Sequence, residues 1–279
     1  MSEMPEGAAV LTAAEPRGRI RRTLWRLGQA TRERFSFLLM LASLSFGVAR
    51  DAVRPATWRR TVRFEFRRAL RQAIAGGLSA TLVTAILIGL AMVSQALYWL
   101  GVAGQRDLLG SILVTVLVRE LAPLLVGLIL LGRSGMVMIS EIGALQIGGQ
   151  VRSLEAQGLD PFQLLLLPRV CALATASFTL GVMFVLTALV TGYIAGSLLG
   201  AVQVSLLSFL NRVLLAMSAA DFVVVPGKMV SIGFLVALTA SLTGFAAKPR
   251  DDVTRLLPIG FTRGVVAILL TSIVLSLAV

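Results

Sequence analysis

The chain has 279 residues, of which 57% are hydrophobic and 14% charged, and its mean hydropathy is +0.88. Because about a quarter of the residues of a soluble protein are charged, this composition indicates an integral membrane protein. One cysteine, Cys171, and no histidine exclude an internal disulfide, a histidine-based acid–base site and the usual ligands of zinc.

The N-terminal quarter is basic and amphipathic. Residues 1–16 carry three acids and no basic residue, so they are not a secretory signal, and we expect them to be disordered. Of the 26 basic residues, 15 lie between Arg17 and Arg71, interleaved with Leu, Trp and Phe. This pattern predicts interfacial helices over 17–71, divided at Pro55, on an anionic membrane surface and not a nucleic-acid site.

The apolar segment 36–49 is shorter than the roughly 20 residues that cross a bilayer, so we expect it to lie on the membrane. Partial insertion of this segment is the alternative.

Five membrane spans follow in a permease domain over 72–279. We predict them at about 75–98, 108–131, 170–198, 222–246 and 258–279, with a peripheral helix near 204–216. The fold class is therefore an all-α integral membrane protein. Within the third span and beyond it, Gly192, Gly196 and Gly200 recur every four residues, which is typical of close helix packing or a dimer seam.

The distribution of charge predicts the orientation. Of the 26 basic residues, 22 fall on the side that holds the N-terminus and the connection between spans two and three. By the positive-inside rule that side is cytoplasmic, and five spans leave the C-terminus on the outer, periplasmic face.

Four charged residues interrupt the spans. Arg119 and Glu120 lie in the middle of the second span, while Asp221 and Lys228 are seven residues apart and share a face of the fourth. A charge in the bilayer must face protein or water. We therefore expect Glu120 to approach Lys228, and Arg119 to approach Asp221 or a lipid phosphate, around a cavity that Gln95 also lines.

A simpler reading remains open for the same four residues. Asp221 and Lys228 would extend to the outer interface, and the Arg119-Glu120 pair would only fix helix packing.

The connection Gly132–Arg169, which we call the elbow, is long and patterned. Apolar residues at helical spacing are broken by glycines at 143, 148 and 149, and Gly158-Leu159-Asp160-Pro161 ends one helix and starts another. The elbow is thus a candidate docking surface, and a solvated loop with ordinary helix caps is the alternative.

The order of several short motifs resembles the MlaE/YrbE permease family of Mla/MCE lipid ABC transporters. The motifs are Arg119-Glu120-Leu121-Ala122-Pro123, Gly132-Arg133-Ser134-Gly135, Glu141-Ile142-Gly143, Gln150, Leu154, Gly158-Leu159-Asp160-Pro161 and Leu167-Pro168-Arg169. The resemblance implies a cytoplasmic coupling helix between spans two and three that enters a cleft of an ATPase. The coupling residues it implies are Glu141, Gly143, Gln150, Arg152, Leu154, Glu155, Gly158, Asp160 and Pro161.

Two positions depart from the family pattern. Family members often have Glu-Gln where this chain has Gly149-Gln150, and an acidic residue where it has Arg152. Both changes remove negative charge, so we expect shape and apolar contact to dominate docking.

The implied function is transport without catalysis by this chain. The sequence has no Gly-x4-Gly-Lys-Ser/Thr loop, so ATP and Mg²⁺ belong to a partner ATPase and the chain needs no cofactor or metal of its own. The resemblance implies a homodimeric inner-membrane permease that moves phospholipid to or from a periplasmic MCE-domain carrier and maintains outer-membrane lipid asymmetry. A STAS-domain protein often joins such complexes.

Three other functions stay open. A steroid or another hydrophobic compound could replace phospholipid as the substrate. Glu120 and Asp221 could instead serve an ion-coupled secondary transporter, or the chain could anchor an MCE-type protein without moving anything.

Overall fold

A computed structural model describes residues 39–105, 108–198, 200, 205–248 and 252–277. The expectations for 1–38 lie outside these residues. The chain divides into two compact units after Leu44. In the first unit, residues 39–44 are helical, and all that follows concerns the second unit.

The regular structure of the described residues is entirely helical. The helices are α1 (45–53), α2 (Arg60–Val102), α3 (Leu109–Ile147), α4 (Gln150–Ala156), α5 (Phe162–Leu198), α6 (Leu206–Ala216), α7 (Asp221–Phe245) and α8 (Val253–Leu277). Five of them, α2, α3, α5, α7 and α8, are long and apolar enough to cross a membrane. The predicted all-α class with five spans is confirmed.

Several of the long helices extend beyond the predicted spans, and α2 and α3 extend the farthest. Helix α2 runs for 43 residues from Arg60. The basic residues between Arg60 and Arg71 therefore form its first turns and not a separate helix. Helix α3 continues to Ile147 through the first half of the elbow. Residues 60–74 of α2 and 132–147 of α3 contain no proline. Isolated glycines weaken a packed helix without ending it.

Side chains fix the corner between α1 and α2. Thr57 Oγ1 donates to the carbonyl of Asp51 at 2.6 Å, and Trp58 Nε1 donates to the carbonyl of Ala52 at 2.8 Å. The ring of Trp58 meets that of Phe66 edge-on, with centroids 5.3 Å apart. The corner is therefore held by hydrogen bonds and an aromatic contact, which favours one entry angle for α2.

Helices α5 and α7 form the centre of the bundle. Helix α5 packs against α2 and α7, and α7 also packs against α3 and α8. A Cβ at Gly233 in α7 would lie 2.5 Å from the carbonyl oxygen of Leu173 in α5, so only glycine permits this approach. Residues 237–244 of α7 are all buried, and their hydroxyls bond to carbonyls of their own helix, as a dry interior requires.

Several long helices contain π-helical stretches, the longest of which is Leu113–Leu121 in α3. Such stretches are rare and occur frequently at functional sites. This one contains Arg119 and Glu120, and it ends two residues before Pro123.

Candidate functional site

Pro123 shapes the backbone beside the two charged residues of α3. A proline has no N–H, so it cannot donate to the carbonyl of the residue four positions earlier, which here is Arg119. Lys228 Nζ in α7 donates to that carbonyl at 2.9 Å. A backbone acceptor that would otherwise lack its α-helical partner is thus satisfied by a side chain from a neighbouring helix.

Arg119 pairs with Asp221 at the first turn of α7. Arg119 Nη2 donates to Asp221 Oδ2 at 2.9 Å, and Arg119 Nε lies 2.7 Å from Oδ1. The backbone N–H and the hydroxyl of Ser218 also donate to Oδ2, at 2.8 and 3.1 Å. Asp221 is fully buried, and these donors compensate the loss of water around its carboxylate.

Lys228 joins three helices. Its side chain is 3% exposed, and Nζ donates to Glu120 Oε2 at 2.8 Å and to Ser276 Oγ at 2.8 Å, besides the Arg119 carbonyl. An ammonium group has three donors, so Lys228 is fully hydrogen-bonded. Glu120 is further held by the hydroxyls of Ser276 and Ser272 in α8, at 2.7 and 3.3 Å.

These contacts define the charged cluster, which consists of Arg119, Glu120, Ser218, Asp221, Lys228, Ser272 and Ser276. Both ion pairs that the sequence predicted are present, and the four charges sum to zero. The cluster is closed on one side only, because the side chains of Arg119 and Glu120 remain 33% and 44% exposed. The cluster lies near the start of α7 and the end of α8. Charged atoms face lipid only at a large cost, so we expect this open side to face water or another protein.

The sequence prediction missed three residues of the charged cluster and included one residue, Gln95, that is not bonded to it in the described part of the chain. Ser218, Ser272 and Ser276 were missed. Ser218 stands three residues before an acid that opens an apolar run, which is a capping-box signal, and the two serines of α8 are four residues apart on one face. Gln95 is exposed on α2, and no hydrogen bond among the described residues joins it to the charged cluster.

The chain changes direction at residues 148–160. The sequence predicted an earlier start of the elbow, at Gly132. Helix α4 is seven residues long and stands between two left-handed glycines, Gly149 (φ 70°) and Gly158 (φ 74°). Asp160 Oδ1 accepts from the N–H of Phe162 at 2.9 Å, which is the expected start of α5.

The predicted coupling residues fall into two groups. An exposed group surrounds α4 and consists of Gln150, Arg152, Glu155, Gly158 and Asp160, with Leu154 and Pro161 half-buried. Glu141 and Gly143 stand apart in α3. Glu141 pairs with Arg169 at 3.0 Å, and Gly143 is buried against Leu256 and Gly244. Gly143 therefore serves helix packing and is not accessible for docking in this protomer.

The predicted glycine ridge is shorter than expected. Gly192 lies against Val93 and the carbonyl of Gly89, and Gly196 is buried. Gly200 lies beyond the end of α5, with a φ of 71° and open space where a Cβ would be. Among the described residues nothing lies within 4 Å of a Cβ at Gly200, so the ridge on α5 consists of Gly192 and Gly196.

Among the described residues, no group of three or more Cys, Asp and Glu could hold a metal ion. Cys171 is a partly buried free thiol in α5. The chemistry of the site is thus that of paired charges and hydroxyl groups, which can bind and orient polar groups inside a bundle.

The five membrane-length helices define a multi-pass helical membrane protein, and ion pairs between two such helices are typical of transport proteins. The family model of Permease MlaE matches residues 66–278, and the chain belongs to the MlaE permease family.

Curated relatives are similar over shorter stretches. Protein TRIGALACTOSYLDIACYLGLYCEROL 1, chloroplastic, of Arabidopsis thaliana is 30% identical over 95 residues, which is 34% of this chain and 27% of that protein. The Intermembrane phospholipid transport system permease protein MlaE of Haemophilus influenzae is 29% identical over 119 residues, 43% of this chain and 44% of the relative. A probable ABC transporter permease protein of Synechocystis is 32% identical over 95 residues, covering 34% and 36%. The matches thus span less than half the length of each of these relatives.

Proposed function

We propose that this chain is the membrane subunit of an ABC transporter that moves phospholipid between the inner membrane and a periplasmic MCE-type carrier. A separate ATPase subunit would drive it. Membership of the MlaE permease family supports the transport class, and the name of the Haemophilus relative supports phospholipid as the substrate. The chain would act as a homodimer, with its N-terminus cytoplasmic and its C-terminus periplasmic.

The half-open charged cluster is the observation that carries this proposal. Arg119 and Glu120 each keep one side free although their partners Asp221 and Lys228 are buried. A cavity between two protomers would cover the free side, and the guanidinium of Arg119 would meet a lipid phosphate there. The acyl chains would contact apolar side chains of the spans.

Helix α4 supports the link to an ATPase. It is a short helix with exposed polar side chains, fixed between two glycines at the end of the bundle where α3 ends and α5 begins. Movement of a docked ATPase against α4 would be transmitted to α3 and α5, which are continuous with the spans. Because α3 also carries Arg119 and Glu120, the same helix connects the docking surface to the charged cluster.

A proton-coupled mechanism is less favoured by the geometry. Glu120 and Asp221 would be the titrating groups, yet each is already held by a cation and by serine hydroxyls. Protonation would remove the charge that these donors stabilise.

The test is a reconstituted complex in vesicles, with fluorescent phospholipid and the soluble domain of the carrier as acceptor. We expect ATP-dependent transfer, its loss in Glu120→Lys and in Lys228→Glu, and partial recovery in the double variant, which restores the pair in reverse. Arg255→Glu, at an exposed position at the start of α8, is the control and should transfer normally. Transfer without ATP would favour secondary transport, and transfer of a steroid in place of phospholipid would correct the substrate.

A further inference from the structure

A second polar site lies at the elbow end of the bundle, far from the charged cluster. Two adjoining cavities of about 350 and 330 Å³ lie between α2, α3 and α5. They share Ala69, Gln72, Glu141 and Arg169, and we call them together the elbow cleft. Arg133 of this cleft follows Arg119 by 14 residues on α3, which is about 20 Å along a helix. The two sites are therefore distinct.

Small residues keep the elbow cleft open. Gly76 of α2 and Gly132 of α3 both line it, and a Cβ at either position would meet nothing within 4 Å. Ala69 and Ala73 line the same side of α2. The cleft is a half-open groove lined by three helices, and its volume is large enough to hold a ligand group.

The cleft holds positive charge that the described residues only partly compensate. Arg133 is exposed, and no described residue forms an ion pair with it. Arg169 Nη2 lies 3.0 Å from Glu141 Oε2 in an ion pair, and the side chain of Arg169 remains 18% exposed. Arg133 therefore has donors available for an anion, and Arg169 adds positive charge to the same cavity.

The lining changes from polar to apolar toward the middle of the bilayer. The charges of α2 end at Arg71, and Gly76 lies one and a half turns farther into the uncharged run. Arg133 and Gly76 line the same cavity, together with the apolar residues Val137, Met138 and Leu173. This arrangement places arginine at the depth where charged and uncharged regions of the bundle meet, which is where lipid phosphates lie at a membrane surface.

We propose that the elbow cleft binds the phosphodiester head group of a phospholipid from the leaflet at the elbow end. The guanidinium groups of Arg133 and Arg169 and the hydroxyl of Ser134 contact the phosphate, and the acyl chains leave past Val137 and Leu173. The inference goes beyond the proposed function, because the cleft can hold a head group whether or not the chain moves lipid. It assigns a role to the Gly132-Arg133-Ser134 motif, which neither the charged cluster nor α4 uses.

Two kinds of variant test the site without disturbing the fold. Gly132→Leu fills the cleft, while Gly132→Ala adds one methyl group and is its matched control; the space around Gly132 is open, so neither should unfold α3. Arg133→Gln removes the unpaired charge. Arg71→Gln is its control, because Arg71 is exposed on α2 and does not line the cleft.

The measurement is native mass spectrometry of the complete complex after stepwise removal of lipid by detergent. We expect the last retained phospholipid to be lost about tenfold more readily in Arg133→Gln and Gly132→Leu, since a charge-assisted contact of this kind is among the stronger hydrogen bonds. The two controls should match the unaltered protein. Equal retention in all five proteins would overturn the proposal.

Two further arms separate the alternatives. If millimolar glycerol 3-phosphate displaces the ligand, the cleft takes a soluble phosphate compound and the lipid assignment is wrong; we expect no displacement. A photoactivatable phospholipid should label peptides within 132–141 and 69–76. Labelling should persist in Glu120→Lys, which is expected to abolish transfer, so failure of the transport proposal and failure of this one give different results.

Discussion

At the level of single residues, Lys228 explains how two neighbouring charges are tolerated in the apolar helix α3. Arg119 and Glu120 point in different directions because adjacent helical residues are about 100° apart. Helix α7 supplies a partner for each, Asp221 and Lys228, two turns apart. Lys228 also donates to the carbonyl of Arg119, which Pro123 leaves without its usual α-helical donor. The proline and the lysine therefore act together as one structural unit.

Replacement of Lys228 tests this unit. Lys228→Met keeps the length of the side chain but leaves Glu120 and the Arg119 carbonyl without their donor. We expect a loss of about 2–3 kcal/mol in unfolding free energy, below the range for a fully buried pair because Glu120 is partly exposed. Ser276→Ala removes one neutral partner and should cost about 1 kcal/mol. Thermal unfolding in detergent gives both values.

The double variant Glu120→Gln with Lys228→Met provides the control. It leaves no uncompensated carboxylate, so it should be more stable than Lys228→Met alone, with a coupling energy of roughly 1–2 kcal/mol. Additive losses would show that Glu120 and Lys228 do not interact in the membrane-embedded protein.

The sequence predicted the ion pairs because the choice was narrow. Two cations and two anions in otherwise apolar spans must find each other, and the seven-residue spacing of Asp221 and Lys228 placed both on one face. The serines were not predicted, because a serine in a span commonly bonds to its own helix and does not signal a partner. Gln95 was included for its polarity alone, and the structure leaves it exposed.

At the level of elements, the elbow shows what helical periodicity misses. The change from apolar to mixed composition at Gly132 suggested the end of a span, but α3 continues to Ile147 because Met138, Ile139 and Ile142 are buried within the bundle. Composition reports where lipid ends, whereas a helix ends where its backbone must change direction. Here that change occurs at the left-handed Gly149.

Gly158 offers a direct test of α4 as a docking element. Its φ of 74° is unfavourable for any residue with a Cβ, although its surroundings are open. Gly158→Ala should therefore cost about 1–2 kcal/mol locally through the backbone alone. We expect reduced copurification of the ATPase with little change in the unfolding of the spans.

Gly76→Ala is the matched control, because Gly76 is helical and equally open. It should bind the ATPase normally. Full ATPase binding by Gly158→Ala would mean that the orientation of α4 is not critical for docking.

The contact between α2 and α5 gives a second test at this level. A side chain at Gly192 would overlap Val93 and the carbonyl of Gly89, so Gly192→Leu should destabilise the bundle by about 1–3 kcal/mol. Gly132→Leu enters open space and should not. Thermal unfolding of the two variants compares a side chain added in a packed contact with one added in open space. Equal unfolding temperatures would show that Gly192 is not needed for close packing of α2 and α5.

At the level of the whole molecule, helix α3 carries part of the half-open charged cluster and ends beside α4. Helix α3 begins at Leu109, carries Arg119 and Glu120 within its first turns, and ends at Ile147 beside α4. A single continuous helix thus links the two regions where we expect substrate and ATPase. The partial exposure of Arg119 and Glu120 also implies that the protomer is incomplete in a membrane, which is consistent with the proposed homodimer.

The positive-inside rule predicts the orientation of the bundle in the membrane, and single cysteines can test this prediction. Cys171 is the only native cysteine, so Cys171→Ser gives a background without thiols. In that background Arg152→Cys on α4 and Asn211→Cys on α6 place exposed thiols at opposite ends of the bundle. In the topology predicted from the sequence, 22 of the 26 basic residues fall on the side of the elbow, so the positive-inside rule predicts that α4 is cytoplasmic.

We therefore expect a membrane-impermeant maleimide to label Asn211→Cys in cells whose inner membrane is intact, and Arg152→Cys only after that membrane is opened. Labelling of both variants after permeabilisation controls for access to the thiols. The reverse pattern would invert the topology. It would then place α4 outside the cell, where no ATPase could reach it, and the coupling role of the elbow would fall with it.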